Sequence, residues 1–187
     1  MTSKRIGPEA TNSGPDTILN DGSESNKPGG QIPPVGTPPH VAELLVGALL
    51  YSTDAEALAV LAFVDDDDIP WPLAPILAAV RRLATRGVPP AAQLIADELR
   101  RGGKLDRQVG VALASATTAG ACSSAASHYA AAAVAESLRR RVESAGAALQ
   151  TAAEASAEAD LAPLAARAAA QVRDCADRLA ALRGGAI

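Results

Sequence analysis

The sequence predicts an all-α protein: a small globular helical head followed by a long antiparallel helical hairpin. Three observations predict it. Apolar residues make up 48% of the chain but aromatics only 2%, so alanine, the best helix former, carries the apolar fraction. No stretch alternates apolar and polar residues long enough for a useful strand. From Ser123 to Leu182 apolar side chains recur at spacings of three to five, which is the stripe of a helix.

Taken in order, residues 1–38 read as a disordered Pro/Gly/Ser-rich tail. Residues 1–39 hold seven of the thirteen prolines and six of the fifteen glycines, too little apolar surface to offset chain entropy. Residues 39–122 form the predicted head. Val41, Leu44, Leu45, Ala48 and Leu49 have helical period, with His40 as a surface or capping residue and Gly47 a point of close helix approach. Ser52-Thr53-Asp54 offers N-cap oxygens to a second helix, Ala55 to about Val64, and Glu56 suits its first turn.

Asp65–Asp68 is the densest charge run and reads as a solvated loop, because it lacks the alternating ligand spacing of a calcium loop. Trp71, the only tryptophan, is expected to cover one end of the core. Pro72 and Pro75 suit the first turn of a helix running to Arg86. Gly87 stops it, Pro89-Pro90 starts the next, and Leu94, Ile95 and Leu99 are expected to point inward until Gly102-Gly103. A short helix with Val109, Val111 and Leu113 follows.

Residues 123–183 form the predicted hairpin. Its first stripe runs Tyr129, Val134, Leu138, Val142, Ala145, Leu149, Ala152. After a break around Ser156–Asp160 the second runs Leu161, Leu164, Ala168, Val172, Cys175, Leu179, Leu182. Spacings of three and four give a coiled-coil-like seam, and alanine lets the two helices approach closely. Residues 184–187 read as a flexible end. The seam residues Leu138, Val142, Leu149, Leu164, Val172 and Leu179 are the candidate interaction surface, since a hairpin has more apolar edge than it can bury on itself. Arg139, Arg140 and Arg141, the one dense basic cluster, are the candidate partner-orienting residues, with Glu136 and Glu143 able to balance them in a solvated face.

No chemistry accompanies this frame. The two cysteines, Cys122 and Cys175, lie far apart with no nearby His, so they read as free thiols rather than a zinc or disulfide pair. Gly102-Gly103-Lys104 fails as a phosphate loop, with Glu98 and Leu105 where Gly and Ser or Thr are needed. No catalytic, cofactor-binding or metal-ligating constellation appears, so a non-enzyme without cofactors is expected. A net charge of −4 disfavours a general nucleic-acid binder. Residues 41–68 carry seven acids and no Lys or Arg, while 81–107 carry seven bases against three acids, so the two segments are expected to attract each other. There is neither a membrane-length apolar run nor a signal-peptide core, and a cytoplasmic protein is expected.

Several short stretches carry a family likeness. Pro39-His40 opens a helix ending Val46-Gly47-Ala48-Leu49-Leu50. Leu83-Ala84-Thr85-Arg86-Gly87-Val88-Pro89 precedes Leu94-Ile95-Ala96-Asp97-Glu98-Leu99, then Gly103-Lys104-Leu105. Ser124-Ala125-Ala126, Tyr129-Ala130 and Leu138-Arg139-Arg140 follow. In order and spacing, over roughly residues 38–182, these resemble the N-terminal domain of DnaB-type replicative DNA helicases. Ala91, Leu73 or Ala74, and Ser127 depart from the family's usual acid, His and Asn. The RecA-like ATPase motor has no counterpart in the chain.

The resemblance implies a helical head with a hairpin that pairs with other copies in a helicase collar and offers a docking surface to primase. Expected partners are therefore self, as a homodimer or higher assembly, and a replication protein such as primase or replicative helicase. A stand-alone regulator competing for the helicase–primase contact is the alternative, and direct nucleic-acid binding is a weaker third.

Overall fold

The computed structural model describes residues 40–185. The readings made for the Pro-rich segment and for Ala186-Ile187 lie outside these residues. Among the described residues there are seven α-helices and no strand. These are α1 (Val41–Leu50), α2 (Asp54–Leu61), α3 (Ala74–Thr85), α4 (Ala92–Arg101), α5 (Arg107–Thr118), α6 (Ala126–Ala155) and α7 (Glu158–Arg183), with single 3-10 turns at Asp66–Asp68 and Ser123–Ala125. The all-α head followed by a long antiparallel hairpin is the architecture observed.

The core is built around α1. Leu45, Val46, Ala48 and Leu49 are fully enclosed, because α3, α5 and α6 all pack on this short helix. A ten-residue helix apolar on every side is stable only when surrounded. His40 caps its start, with Nδ1 accepting the Ala42 N–H at 3.3 Å and the His40 N–H donating to Glu43 Oε2 at 3.2 Å. Gly47 is the point of close approach: a Cβ there would lie 2.5 Å from the backbone oxygen of Ala116 on α5. Thr53 and Glu56 form a reciprocal capping box for α2, which ends at Leu61, short of the expected Val64.

The turn between α3 and α4 is fixed twice. Gly87 sits at φ +71°, which frees the Val88 N–H to reach Leu83 O at 3.0 Å and close α3. Glu98 of α4 accepts from Arg82 at 3.0 Å and Arg86 at 2.8 Å, clamping the helices on either side. Gly103, at φ +65°, ends α4 in the same way, with Lys104 N–H donating to Leu99 O.

Two expectations fail in this head, those for Leu94 and Trp71. Leu94 is 42% exposed, and Ile95 and Leu99 alone fill the inward face of α4. Val111 is likewise exposed, since Val109, Ala112, Leu113 and Ala116 make the buried stripe of α5. Trp71 is 56% exposed and does not cover the core; Ile69 and Leu73 on either side of it do. In each case a neighbour one or two positions away already filled the space.

Substituting Gly47→Ala should destabilise the fold by about 1–3 kcal/mol, because the added methyl must push α5 away from α1. Chemical denaturation checks this. Gly110→Ala in α5, where an added Cβ meets nothing within 4 Å, should be neutral or stabilising.

Candidate protein interface on the helical hairpin

Helix α6 spans thirty residues and α7 twenty-six, about 45 Å and 39 Å at 1.5 Å per residue. They pack antiparallel, joined by a break of only two residues, Ser156 and Ala157, rather than the wider one expected. Ser123–Ala125 is a 3-10 turn, so the long helix itself begins at Ala126. Pro163 lies inside α7, where it forgoes one helical hydrogen bond.

The hairpin has a seated base and an open arm. At the base, α6 buries Ala126, Ala130, Ala133, Val134 and Ser137, and α7 buries Cys175, Leu179 and Leu182. The face that α6 turns to the head is thus made mainly of small residues, where α1 approaches closely, with Tyr129 and Leu138 half-buried against the core and Val142 exposed. Beyond Ser137, Ala152 is the only residue of α6 that is buried.

The buried side chain at the base is a carboxylate. Asp68, which the sequence reading placed in a solvated loop, is only 1% exposed. Its Oδ1 accepts from Ser137 Oγ at 2.7 Å and from Arg141 at 3.0 Å. Its Oδ2 accepts the Asp65 N–H at 2.9 Å and a short contact from Arg178 of α7. Arg140 bonds the Asp68 backbone oxygen at 2.6 Å, and Arg178 also meets Asp65 at 3.0 Å. The correction has a local cause: Asp66–Asp68 winds into a 3-10 turn that points Asp68 inward and leaves Asp65 and Asp67 exposed.

Burial by itself would raise the Asp68 pKa. The hydrogen bonds from Arg178, Ser137, the Asp65 backbone and Arg141 outweigh it, and the carboxyl is held below the ordinary aspartate value. Beside it, burial and the Asp68 charge push the Cys175 thiol up, while Ser124 draws the exposed Cys122 thiol down. Arg81 of α3 completes the junction, meeting Asp66 at 3.2 Å and Leu61 O at 2.8 Å. This pair joins the acidic and basic segments of the chain.

The candidate site residues divide by height along the hairpin. Leu179 is buried in the head core and Leu138 packs against it. Val142 is 50% exposed, and Leu149, Leu164 and Val172 are half-buried along the arm. The three arginines separate: Arg140 and Arg141 are engaged by Asp68, and Arg139 alone has no partner among the described residues. Glu136 does not balance them but meets His40 Nε2 at 3.2 Å. Asp68, Ser137 and Arg178 went unrecognised in the sequence. The available signal was Arg178 itself, a charge set between Cys175 and Leu179 in an otherwise apolar stripe.

No single helix among the described residues is long and apolar enough to cross a membrane, and none of their His, Cys, Asp or Glu side chains cluster as a metal site.

No protein-family model matches the chain, and no curated protein matches it. Among solved structures, the crystal structure of the N-terminal domain of DnaB helicase from Mycobacterium tuberculosis superposes with a TM-score of 0.63 at 27% identity. The match covers 73% of this chain and 99% of that one. The fold is that of a DnaB helicase N-terminal domain, as the short motifs in the sequence implied.

Replacing Asp68 with Ala should cost about 3–5 kcal/mol, the penalty for breaking a buried ion pair and leaving its partners unpaired. Because the folded pKa lies below the unfolded one, the contribution is complete above the unfolded value. It is lost as pH falls through the folded value, so the wild type should weaken below about pH 4. Urea midpoints between pH 2.5 and 7 check this. The acid slope should shrink in Asp68→Ala and persist in part, because Glu98 and Glu56 are also held below their usual range.

Proposed function

We propose that this chain is a non-catalytic interaction domain of the replicative-helicase collar type, which self-associates through its hairpin and docks a replication protein such as primase or helicase. The observation that carries the reading is the open arm. Beyond the Asp68 junction the two helices have only each other. Leu149, Leu161, Leu164, Ala168 and Val172 are half-buried along a single seam, and Val142 is exposed. A two-helix ribbon leaves one side of such a seam to solvent, and burying it against a second ribbon completes a four-helix arrangement. The likeness to a DnaB N-terminal domain supports the same reading, because a collar is assembled from repeated copies of one domain.

The arm also offers no alternative chemistry. Its side chains are alanines, aliphatics and isolated charges, with no titratable group in a cleft. A partner would be recognised by shape and by charge.

Replacing both Leu149 and Val172 with Asp should abolish self-association while leaving the head folded, because both lie beyond the ionic junction. Sedimentation velocity from 1 to 200 μM, with circular dichroism as the folding control, checks this. A monomer for the unmodified chain across that range would overturn the self-association reading, and ATP turnover by the pure chain would overturn the non-catalytic one.

A further inference from the structure

The end of the head where α4 passes into α5 collects more positive charge than the fold uses. Arg82 and Arg86 of α3 and Arg101 of α4 all meet the one carboxylate of Glu98, at 3.0, 2.8 and 3.5 Å. Arg101 also meets Asp97 at 3.1 Å, and Arg100 lies 3.9 Å from that same aspartate. Arg86, Arg100 and Arg101 nevertheless remain more than half exposed. Lys104 and Arg107 follow within the next six residues, exposed and with no ionic partner among the described residues. Six cations thus stand against three acids, Asp97, Glu98 and Asp106, and Asp106 is occupied in capping α5.

Arg107 sits where its own helix disfavours it. It is the first residue of α5, whose opening turn carries no acid, and the helix dipole favours carboxylates there and opposes bases. A base set against the local rule, with no partner in the fold, marks a surface kept for something outside it. Beside the bases stands the exposed Leu94. At about 100° per residue it lies within roughly 20° of Arg101 around α4, and about 10 Å from it along the axis. Asp97, between them, is already held by Arg100 and Arg101. One row of α4 therefore runs from an exposed leucine to a cluster of arginines.

We infer that this end of the head is a docking surface for an acidic segment of a partner protein, one that carries a large apolar side chain among its carboxylates. The arginine forks and Lys104 take the carboxylates, and Leu94 takes the apolar residue. Two features favour a peptide over a nucleic-acid strand. Asp97 and Glu98 interrupt the bases, and a continuous run of phosphates meets them as repulsion. No aromatic side chain lies between residues 82 and 107 to stack on a base. The surface belongs to the head, where α4 packs on α3 and α5. It therefore goes beyond the hairpin reading and stands or falls apart from it.

Fluorescence anisotropy with the full chain and a fluorescein-labelled peptide tests this. The probe is a twelve-residue peptide of aspartate and glutamate with a leucine at every fourth position. Its control carries asparagine and glutamine in place of the acids. The acidic peptide should bind and the control should not. Lys104→Glu/Arg107→Glu should weaken binding about tenfold or more, and Leu94→Ser about threefold or more. The double variant should keep or raise the urea midpoint, because Arg107→Glu supplies the acid that the first turn of α5 lacks. Leu149→Asp/Val172→Asp should bind the peptide as wild type does, whatever its oligomeric state. Peptide binding that is absent, or indifferent to both head variants, overturns the inference. So does a twenty-nucleotide single strand that binds more tightly than the peptide, which would assign the bases to phosphate. A double variant with an altered oligomeric state would assign them to a second copy, and one less stable than wild type would assign them to the fold; either result overturns it too.

Discussion

Asp68 is the carboxylate on which the arrangement of this molecule depends. An ionised group removed from water is stabilised only if its oxygens are met by donors, and removing even one donor leaves a net cost of several kcal/mol. Here the donors come from three separate places: the backbone at Asp65, the hydroxyl of Ser137 with Arg141 on α6, and Arg178 on α7. No two of these elements can slide without leaving a buried charge partly unmet. One side chain therefore sets how the head sits on the hairpin and how α6 and α7 are registered against each other.

This junction divides the hairpin physically. On the head side, small residues of α6 lie close against α1, and Leu179 and Leu182 of α7 join the main core. On the far side nothing but the partner helix covers the seam. Ordinary helix-pair packing buries one face of each helix, so the arm holds its shape with a half-filled core. Pro163 weakens the arm further, since α7 gives up one backbone hydrogen bond a turn and a half from its start. The fixed base and the under-filled arm are two consequences of the same placement of Asp68.

Much of the fold was legible because local signals agreed with one another. Thr53 with Glu56, Gly87, and Gly103 each define a helix end by chemistry that needs no tertiary information. Gly47 announced a close contact before its partner, Ala116, was known. What could not be read were the choices between adjacent candidates. Leu94 or Ile95, Val111 or Ala112, and Trp71 or its neighbours each compete for one inward position, and only packing against α1 and α3 decides. The Asp65–Asp68 run failed differently. Four like residues in a row look equivalent, and only the arrival of Arg178, one hundred and ten residues later, separates the buried one from the rest. The arginine triplet divides for the same reason: two of its members answer a carboxylate on another element.

The size of the open arm explains why its charges have influence. An overlap of about 22 Å across two helices of about 10 Å each covers roughly 450 Å² in projection, small beside the roughly 800 Å² per partner of a standard interface. Alanine-rich faces add little area per residue, and Val142, Leu149 and Val172 are few. Where apolar burial is this limited, its contribution is comparable to that of a handful of ion pairs at the rim, and apolar contact alone does not distinguish one direction of packing from the other.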